Sequence, residues 1–493
     1  MTAIAEADTA MPAPFTTAIS EFVSGLRFEE IPSEVIERIR LLVLDSFGCG
    51  IFGARLRWAT IIQDTLCRVD STRDVPVWGT TLRLSAPSAV LVNGTQIQGF
   101  ELDDVHRQGV LHVGAVSLPP LLAICALNPG ISGRQFLAAA VAGYEIGPRV
   151  GMCMGQEHIT QGWHSGATVG VFSAAAAASA ALGLSTDQTI NAIGIAGTQA
   201  SGLMAAQYGA MVKRMHAGRA AQSGLYAALL AQSGFTGIRD VFESPYGGFC
   251  TTFSASQDKF NLTALSAGLG EAYETMRISL KFYSSVSSSH TSLDAIRLLQ
   301  EQRPFTAGEV DSITVRGSRV TVEHVGWPYR PEGLTSAQLN LPFCIATLLL
   351  EGDVFVAQFT EEAVSDPARI ALSQRVRVVE DPAITAKGSA HRHEVEVEVV
   401  LTDGARLVQR VEAPRGSEAN FASEGQVVDK FHALADDVLG REAAVELRQA
   451  VLGLAELEDV APLVGLLSQA GRPAQEPASK TARPKRRARD DRQ

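Results

Sequence analysis

Four segments of the chain place histidine, lysine, arginine or carboxylate side chains beside glycine and other small residues, where a ligand can approach the backbone closely. Imidazole takes up and releases protons near neutral pH, while lysine and arginine neutralise anions. These residue types are suited to acid–base chemistry on a small anionic substrate. The four segments are residues 101–114, 162–166, 208–218 and 280–290.

Ten residues in these segments are candidates for that chemistry. They are Glu101, Asp103, Asp104, His112, His164, Lys213, Arg214, His216, Lys281 and His290. Each also has a structural interpretation, because a histidine between helices is more often a hydrogen-bonded structural residue than a catalyst. Lys213 and Arg214 are equally compatible with a solvated surface, and the serine-rich residues 284–289 with an ordinary loop.

Other kinds of site fit the sequence less well. It contains no H-E-x-x-H, no G-x-S-x-G and no phosphate-binding P-loop. A G-x-G-x-x-G occurs at Gly48, Gly50 and Gly53, but it ends a predicted helix rather than following a strand, as a dinucleotide site would. The acidic loop around Asp104 and His112 lacks a recognisable zinc spacing. We therefore expect neither metal nor cofactor, with a divalent ion in this loop as the open alternative.

The composition is that of a globular protein with a large core. Of 493 residues, 46% are hydrophobic and 19% are charged, and the formal net charge is −11. An acidic chain is a poor general binder of nucleic acid, which requires basic surface. The most apolar long stretch, residues 169–184, is short and alanine-rich for a membrane span, and the six scattered cysteines indicate reduced thiols. We expect a cytoplasmic protein that binds neither nucleic acid nor membrane.

Apolar residues recur at helical spacing in the first half of the chain, and alternation typical of strands appears after about residue 275. Residues 101–114 interrupt the helical pattern with acid, histidine and glycine, which favours a loop. Helices are predicted at residues 35–52, 86–100, 118–127, 133–151, 165–184, 186–206 and 216–233. Strands are predicted at residues 310–316, 374–380, 394–400 and 406–412.

This order of elements predicts a mainly helical fold with an inserted α+β domain. The helical domain comprises residues 15–272 and a C-terminal return at 416–468, and the smaller α/β domain comprises residues 273–415. Residues 469–493 are Pro-rich and basic, without apolar periodicity, and are predicted to be a disordered tail.

The four segments, in this order, resemble the signature of the MmgE/PrpD family, which includes 2-methylcitrate dehydratase, cis-aconitate decarboxylase and iminodisuccinate epimerase. The resemblance covers nearly the whole chain except the basic tail. It implies a large all-helical domain, a smaller α/β lid domain, a homodimer, and an active site between the domains that acts on a small polycarboxylate. Further matching motifs are Leu44-Asp45-Ser46-Phe47-Gly48-Cys49-Gly50, Asn93-Gly94, Gly143-Tyr144-Glu145 and the H-A-G-x-A-A at residues 216–221.

The resemblance also implies roles for individual residues. His112 falls on the family's histidine after the acidic loop, His164 on the histidine of a small-residue helix start, and Lys213 on its central lysine. Lys281 falls on the lysine that opens the lid domain, and His290 on the histidine that ends that motif. The predicted catalytic residues are His112, His164, Lys213 and Lys281. The predicted substrate-binding residues are Glu101, Asp103, Asp104, Arg214, His216 and His290.

Four positions depart from the decarboxylase pattern. Glu101 replaces an aspartate, Val105 a threonine, Val286 a histidine and Phe343 a tyrosine. The lost hydroxyl groups argue against decarboxylation of cis-aconitate, so the sequence favours a dehydratase acting on a 2-methylcitrate-like acid. An epimerase, an isomerase or a decarboxylase of a related acid, and a non-catalytic binding protein on this fold, remain alternatives.

The shared chemistry that the resemblance implies is proton transfer at a carbon next to a carboxylate. Lys213, Lys281 and Arg214 would neutralise the substrate carboxylates and the enediolate that forms. One of His112 and His164 would act as base and the other as acid. Asp103 or Asp104 would orient an imidazole and fix its tautomer.

Overall fold

The computed structural model describes residues 14–208, 210–388 and 391–468, so the predicted tail lies outside the described residues. Helices predominate, as predicted. The first eleven are α1 Phe15–Gly25, α2 Ser33–Gly53, α3 Arg57–Val69, α4 Ala86–Ile97, α5 Val113–Leu127, α6 Gly133–Thr160, α7 Ser165–Thr168, α8 Gly170–Ala181, α9 Thr186–Gly197, α10 Val212–Gln232 and α11 Phe249–Ser254. The others are α12 His290–Gln302, α13 Arg319–Val325, α14 Leu334–Leu339, α15 Leu341–Glu351, α16 Glu361–Val364, α17 Pro367–Ser373, α18 Pro382–Ala386, α19 Glu424–Leu439, α20 Arg441–Leu452 and α21 Ala461–Leu466.

Eight strands form small sheets. They are β1 Val75–Pro76, β2 Arg83–Leu84, β3 Val105–His106, β4 Ile278–Ser279, β5 Val310–Gly317, β6 Val376–Glu380, β7 Val395–Leu401 and β8 Arg406–Val411. The four longer strands lie where the alternating sequence predicts them, and form one sheet in the order β6-β5-β7-β8. Strands β5 and β6 are parallel and the other neighbours are antiparallel. Val395, Val397 and Val399 of β7 are buried and the residues between them are half-exposed, because one face of the sheet is covered by α12.

The largest hydrophobic core is built from helices of the first half of the chain. Alanine-rich α8 is buried along most of its length and packs against α5, α6 and α10. Small side chains allow this close approach: a Cβ on Gly218 of α10 would lie 2.1 Å from the carbonyl oxygen of Leu91 in α4. The close contact fixes α10, whose first turns carry three of the candidate site residues.

Two further contacts connect distant parts of the chain around this core. Helix α19, near the C-terminus, packs against α2. The short strands β3 and β4 pair antiparallel, which brings the acidic loop after α4 next to the segment that contains Lys281. A second hydrophobic cluster lies between the four-stranded sheet and helices α12 and α15. No helix among the described residues has both the length and the apolar character needed to cross a membrane.

Candidate active site

A single buried carboxylate, that of Glu101, binds three cationic side chains. Its Oε1 accepts hydrogen bonds from Lys213 Nζ and from Arg214 Nη1, both at 2.5 Å. Its Oε2 accepts one from Lys281 Nζ at 3.3 Å. All four groups are largely removed from solvent. One negative charge therefore faces three positive charges, and this excess attracts an anionic ligand.

The electrostatics keep Glu101 ionised. Burial by itself raises the pKa of a carboxyl group, but Lys213, Lys281 and Arg214 together hold the pKa of Glu101 well below its ordinary value. Burial also lowers the pKa of Lys213, which Glu101 only partly offsets. A second anion beside Lys213 would therefore stabilise its charged form.

Four chain segments position this cluster. Glu101 ends the 3-10 turn after α4 with a left-handed φ of 56°, which is unusual for a residue other than glycine. Lys213 and Arg214 lie in the first turn of α10. The carbonyl oxygen of Phe100 accepts hydrogen bonds from Ser284 Oγ at 2.9 Å and from Gln338 Nε2 at 3.1 Å. The helical core and the sheet-containing part therefore meet at the site.

His112 lies beside the acidic loop, immediately before α5. Its Nδ1 is 3.0 Å from Asp103 Oδ2 and 3.0 Å from the carbonyl oxygen of Asp104. An Nδ1–H donated to these oxygens leaves Nε2 as the nitrogen that can exchange a proton with a ligand. The fully buried Asp103 carboxylate orients the His112 ring and fixes its tautomer.

Asp104 is occupied by protein donors. Its carboxylate oxygens accept from the backbone N–H of Gly114 at 3.0 and 3.2 Å, and Oδ2 accepts from the Tyr144 hydroxyl at 2.7 Å. Burial, reinforced by the neighbouring Asp103, raises the pKa of Asp104 to about 7. These contacts hold the start of α5, and with it His112, which favours a positioning role over substrate binding.

His164 and His216 form a second pair of imidazoles, with ring centroids 4.6 Å apart. Burial is the main cause that lowers the pKa of both, and Lys213 adds to it. The pKa of His164 lies well below 6.5, so this imidazole is neutral at pH 7 and able to accept a proton. The Nδ1 atoms of both rings have no hydrogen-bond partner in the described parts of the chain.

His290 has a different set of contacts from His164 and His216. It begins α12, its Nε2 is 3.2 Å from the carbonyl oxygen of Ser285, and its ring packs edge-on against Tyr283. Burial and then the charge of Lys281 lower its pKa to about 3. The contacts of the His290 ring are thus with Ser285 and Tyr283, and the charge of Lys281 acts on it electrostatically.

Sequence reasoning missed two charged residues beneath the acidic loop. Lys430 Nζ of α19 is 2.6 Å from Asp45 Oδ1 of α2 and donates a 2.7 Å hydrogen bond to the carbonyl oxygen of Leu102. Both side chains are buried. A signal was present, because Asp45 and Lys430 each interrupt an apolar helix face, and a buried charge requires a partner.

Two of the residues that depart from the decarboxylase pattern, Phe343 and Val286, lie in or against the hydrophobic core beside the sheet. Phe343 is fully buried and stacks on Tyr329 at a centroid distance of 4.3 Å, in the sheet-side core. Val286 packs against the same core. Both residues fill apolar space.

No group of three or more histidine, cysteine or carboxylate side chains that could hold a metal ion occurs among the residues that the structure describes.

Fold and site together define a mainly helical protein with a buried cationic cluster flanked by imidazoles. Comparison with known proteins gives the family. Residues 17–261 match the MmgE/PrpD N-terminal domain and residues 283–456 match the MmgE/PrpD C-terminal domain. The chain belongs to the MmgE/PrpD family.

Named relatives of this chain are lyases. It is 34% identical to a cis-aconitate decarboxylase-like protein of Aspergillus oryzae, over 92% of this chain and 97% of that protein. It is 32% identical to cis-aconitate decarboxylase of Aspergillus terreus, over 94% and 97%. The match to 2-methylcitrate dehydratase of Escherichia coli is 23% identical, over 85% and 89%. The more similar of these relatives are decarboxylases, whereas the sequence alone favoured a dehydratase.

Acid is expected to destabilise the protein steeply below pH 6.5. Burial lowers the pKa of His158 to about 4 and that of His290 to about 3, so both are neutral in the folded state. Their contribution to stability is complete above the unfolded pKa of about 6.5 and is lost as pH falls towards the folded values. Each histidine then lowers the free energy of unfolding by about 1.4 kcal/mol per pH unit.

The raised pKa of Asp104 offsets part of this acid effect, because its carboxyl takes up a proton in the folded state first. His164 and His216, whose pKa values are also lowered, add to the loss of unfolding free energy in acid. Urea unfolding at a series of pH values from about 7.5 to about 5 measures the balance. A free energy of unfolding that stays constant over this range would show that these histidines are not buried in their neutral form.

Proposed function

We propose that this protein is a lyase that acts on a small polycarboxylic acid by acid–base chemistry without a cofactor, and that cis-aconitate is its first candidate substrate. The observation that carries the proposal is the cluster of Lys213, Arg214 and Lys281 around one carboxylate, with imidazoles close by. Such a cluster binds carboxylates and also stabilises the negative charge that develops when a bond to the neighbouring carbon breaks.

The imidazoles take different roles in this proposal. His164 is neutral and acts as the base. His112, supported by the Asp103 carboxylate, acts as the acid. In decarboxylation, a C–C bond breaks, CO₂ leaves, and the electron pair of that bond passes into the remaining acid, which takes a proton on carbon from His112. In dehydration, the base removes a proton from carbon, and the acid protonates the departing hydroxyl.

The names of the relatives favour decarboxylation over the dehydration expected from sequence. The chain is 32–34% identical to the Aspergillus proteins named for cis-aconitate decarboxylase and 23% identical to the bacterial dehydratase. Phe343 is part of an apolar core, so the absence of a tyrosine hydroxyl there is weak evidence against decarboxylation. Dehydration of a 2-methylcitrate-like acid is the second candidate, because the dehydratases also match along most of the chain.

A product assay separates the two reactions. The purified protein, in excess EDTA, is incubated with cis-aconitate and separately with 2-methylcitrate and related di- and tricarboxylates, and proton NMR follows the products. Loss of CO₂ from cis-aconitate supports the first candidate, and formation of a new alkene with loss of water supports the second. No turnover of any acid would contradict the lyase proposal. Activity that EDTA abolishes and a metal restores would contradict the metal-free mechanism.

We also propose that the sheet-containing region, residues 273–415, is a lid domain on a helical domain formed by residues 15–272 and 416–468.

We propose in addition that the protein is a homodimer. Helix α10 is buried on most of its surface, yet one stripe along it is exposed. The stripe consists of Val212, Arg219, Tyr226 and Leu230. Exposed aromatic and aliphatic side chains in such a row are typical of protein interfaces.

The variant Tyr226→Glu is expected to convert the dimer to a monomer. A tyrosine in an interface commonly contributes about 2 kcal/mol or more, and a buried glutamate charge adds a desolvation cost. Size-exclusion chromatography with light scattering measures the mass, with Tyr226→Phe as the matched control that keeps the ring. A monomeric wild-type protein, or a Glu variant that stays dimeric, would contradict this interface.

A further inference from the structure

A second charged cluster, Asp45 and Lys430, contacts the acidic loop at Leu102. Lys430 Nζ is 2.6 Å from Asp45 Oδ1 and donates to the carbonyl oxygen of Leu102 at 2.7 Å. It also lies 5.7 Å from the ring centroid of Phe282, the residue that follows Lys281. One ammonium group therefore contacts α2, the acidic loop and the segment that carries Lys281.

We propose that Lys430 is a positioning residue of the reaction, which holds the acidic loop so that Glu101 and His112 keep their places in the site. This inference rests on the proposed function. Lys430 itself has no contact with Glu101 in this structure. Its effect passes through the backbone of Leu102, which lies directly between Glu101 and Asp103.

The surroundings of Lys430 explain why the loop depends on it. The charged and titratable groups that face it are Asp45 and Cys49 of α2 and Asp103 of the loop. Burial alone would lower the pKa of Lys430, but these groups raise it above its ordinary value, so the ammonium stays charged. Asp103 Oδ2 lies 3.0 Å from His112 Nδ1. Lys430 is thus the direct ion-pair partner of Asp45, and its charge also acts on Asp103.

A strained backbone makes this anchoring more important. Glu101 has a left-handed φ of 56° and Val110, in the same loop, has one of 50°. Residues other than glycine adopt this backbone conformation only where surrounding contacts impose it. A loop with two such residues is expected to relax when the hydrogen bond from Lys430 to Leu102 is removed.

A double variant separates positioning from general stability. Lys430→Met alone is expected to fold poorly, because it leaves Asp45 buried without its counter-charge. The informative protein is therefore Asp45→Asn combined with Lys430→Met, which removes both charges. It is compared with Asp45→Asn alone, which keeps the lysine and its hydrogen bond to Leu102. Lys259→Met, which removes an exposed lysine, serves as the general control.

Three measurements are made on each protein: thermal melting, steady-state kinetics with cis-aconitate, and amide hydrogen exchange of peptides covering residues 101–112. We expect the double variant to fold and its loop to exchange at least tenfold faster than in Asp45→Asn. Its kcat should fall by about a hundredfold, the order expected for a misplacement of about 1 Å. Its KM should change by less than about threefold, because Lys430 makes no substrate contact.

Unchanged loop exchange in the double variant would overturn the inference, and so would a kcat equal to that of Asp45→Asn. An equal fall of kcat in Lys259→Met would show a general effect and would also overturn it. If the wild-type protein turns over none of the acids, the proposed function fails. The exchange of residues 101–112 then still decides whether Lys430 holds the loop.

Discussion

Replacing Lys213 with methionine is expected to lower turnover by about a hundredfold or more while the protein keeps its fold, the scale of losing one electrostatic contact to a reacting group. The fold should survive because Glu101 retains Arg214 and Lys281 as partners. Thermal melts and steady-state kinetics on the same preparation measure both properties, with Lys259→Met as the control. Unchanged kinetics would remove Lys213 from the site.

The kinetic constants affected by Lys213→Met distinguish two functions of the charge. If Lys213 holds a carboxylate equally in the ground and transition states, KM rises and kcat is preserved. If it stabilises the enediolate, kcat falls. We expect the fall in kcat, because Lys213 lies near the proposed base His164, as its influence on the pKa of that imidazole indicates.

Replacing Glu101 with glutamine is expected to reduce the free energy of unfolding by about 3–5 kcal/mol, because it leaves three buried cations without the carboxylate that they share. Chemical denaturation of the variant and the wild type measures the difference. Added sulfate or cis-aconitate should raise the melting temperature of Glu101→Gln more than that of the wild type, since an external anion can then bind between the three cations.

The backbone of Glu101 provides a matched control for this effect. Its left-handed conformation costs a residue with a Cβ about 1–2 kcal/mol, a cost that glycine avoids. Glu101→Gly should therefore be less destabilised than Glu101→Ala by about that amount, although both lack the carboxylate. A glutamine variant as stable as the wild type would show that the three cations find other partners in solution.

Much of the fold was predictable because burial on one face imposes a period on the sequence. The strand predicted at residues 310–316 is Val310–Gly317, and the helix predicted at 35–52 is Ser33–Gly53. The helix predicted at 186–206 was too long and ends at Gly197. There the chain turns so that the Gly202 carbonyl oxygen accepts from the backbone N–H of His164. Periodicity contains no information on such a distant contact.

The candidate site was predictable to a similar degree. Charged residues in small-residue segments identified the three cations and Glu101, yet their mutual pairing depends on the fold. Asp104 has the residue type expected of a substrate ligand, but the structure shows it bound to Gly114 and Tyr144. Lys430 was missed because its partner Leu102 is 328 positions away in sequence, and only the packing of α19 on α2 brings them together.

The most direct test of the central claim, proton transfer at carbon by the imidazoles beside the Lys213 cluster, is deuterium uptake from heavy water. Wild-type protein and His112→Gln, which lacks the proposed acid, are incubated with cis-aconitate in D₂O, and proton NMR follows substrate and product. Thermal melting of both proteins checks that the variant keeps its fold. The wild type should place one deuterium on a carbon next to a carboxylate, and His112→Gln should do so about a hundredfold more slowly. Equal rates of uptake in the two proteins, or no uptake into any di- or tricarboxylate, would contradict this account.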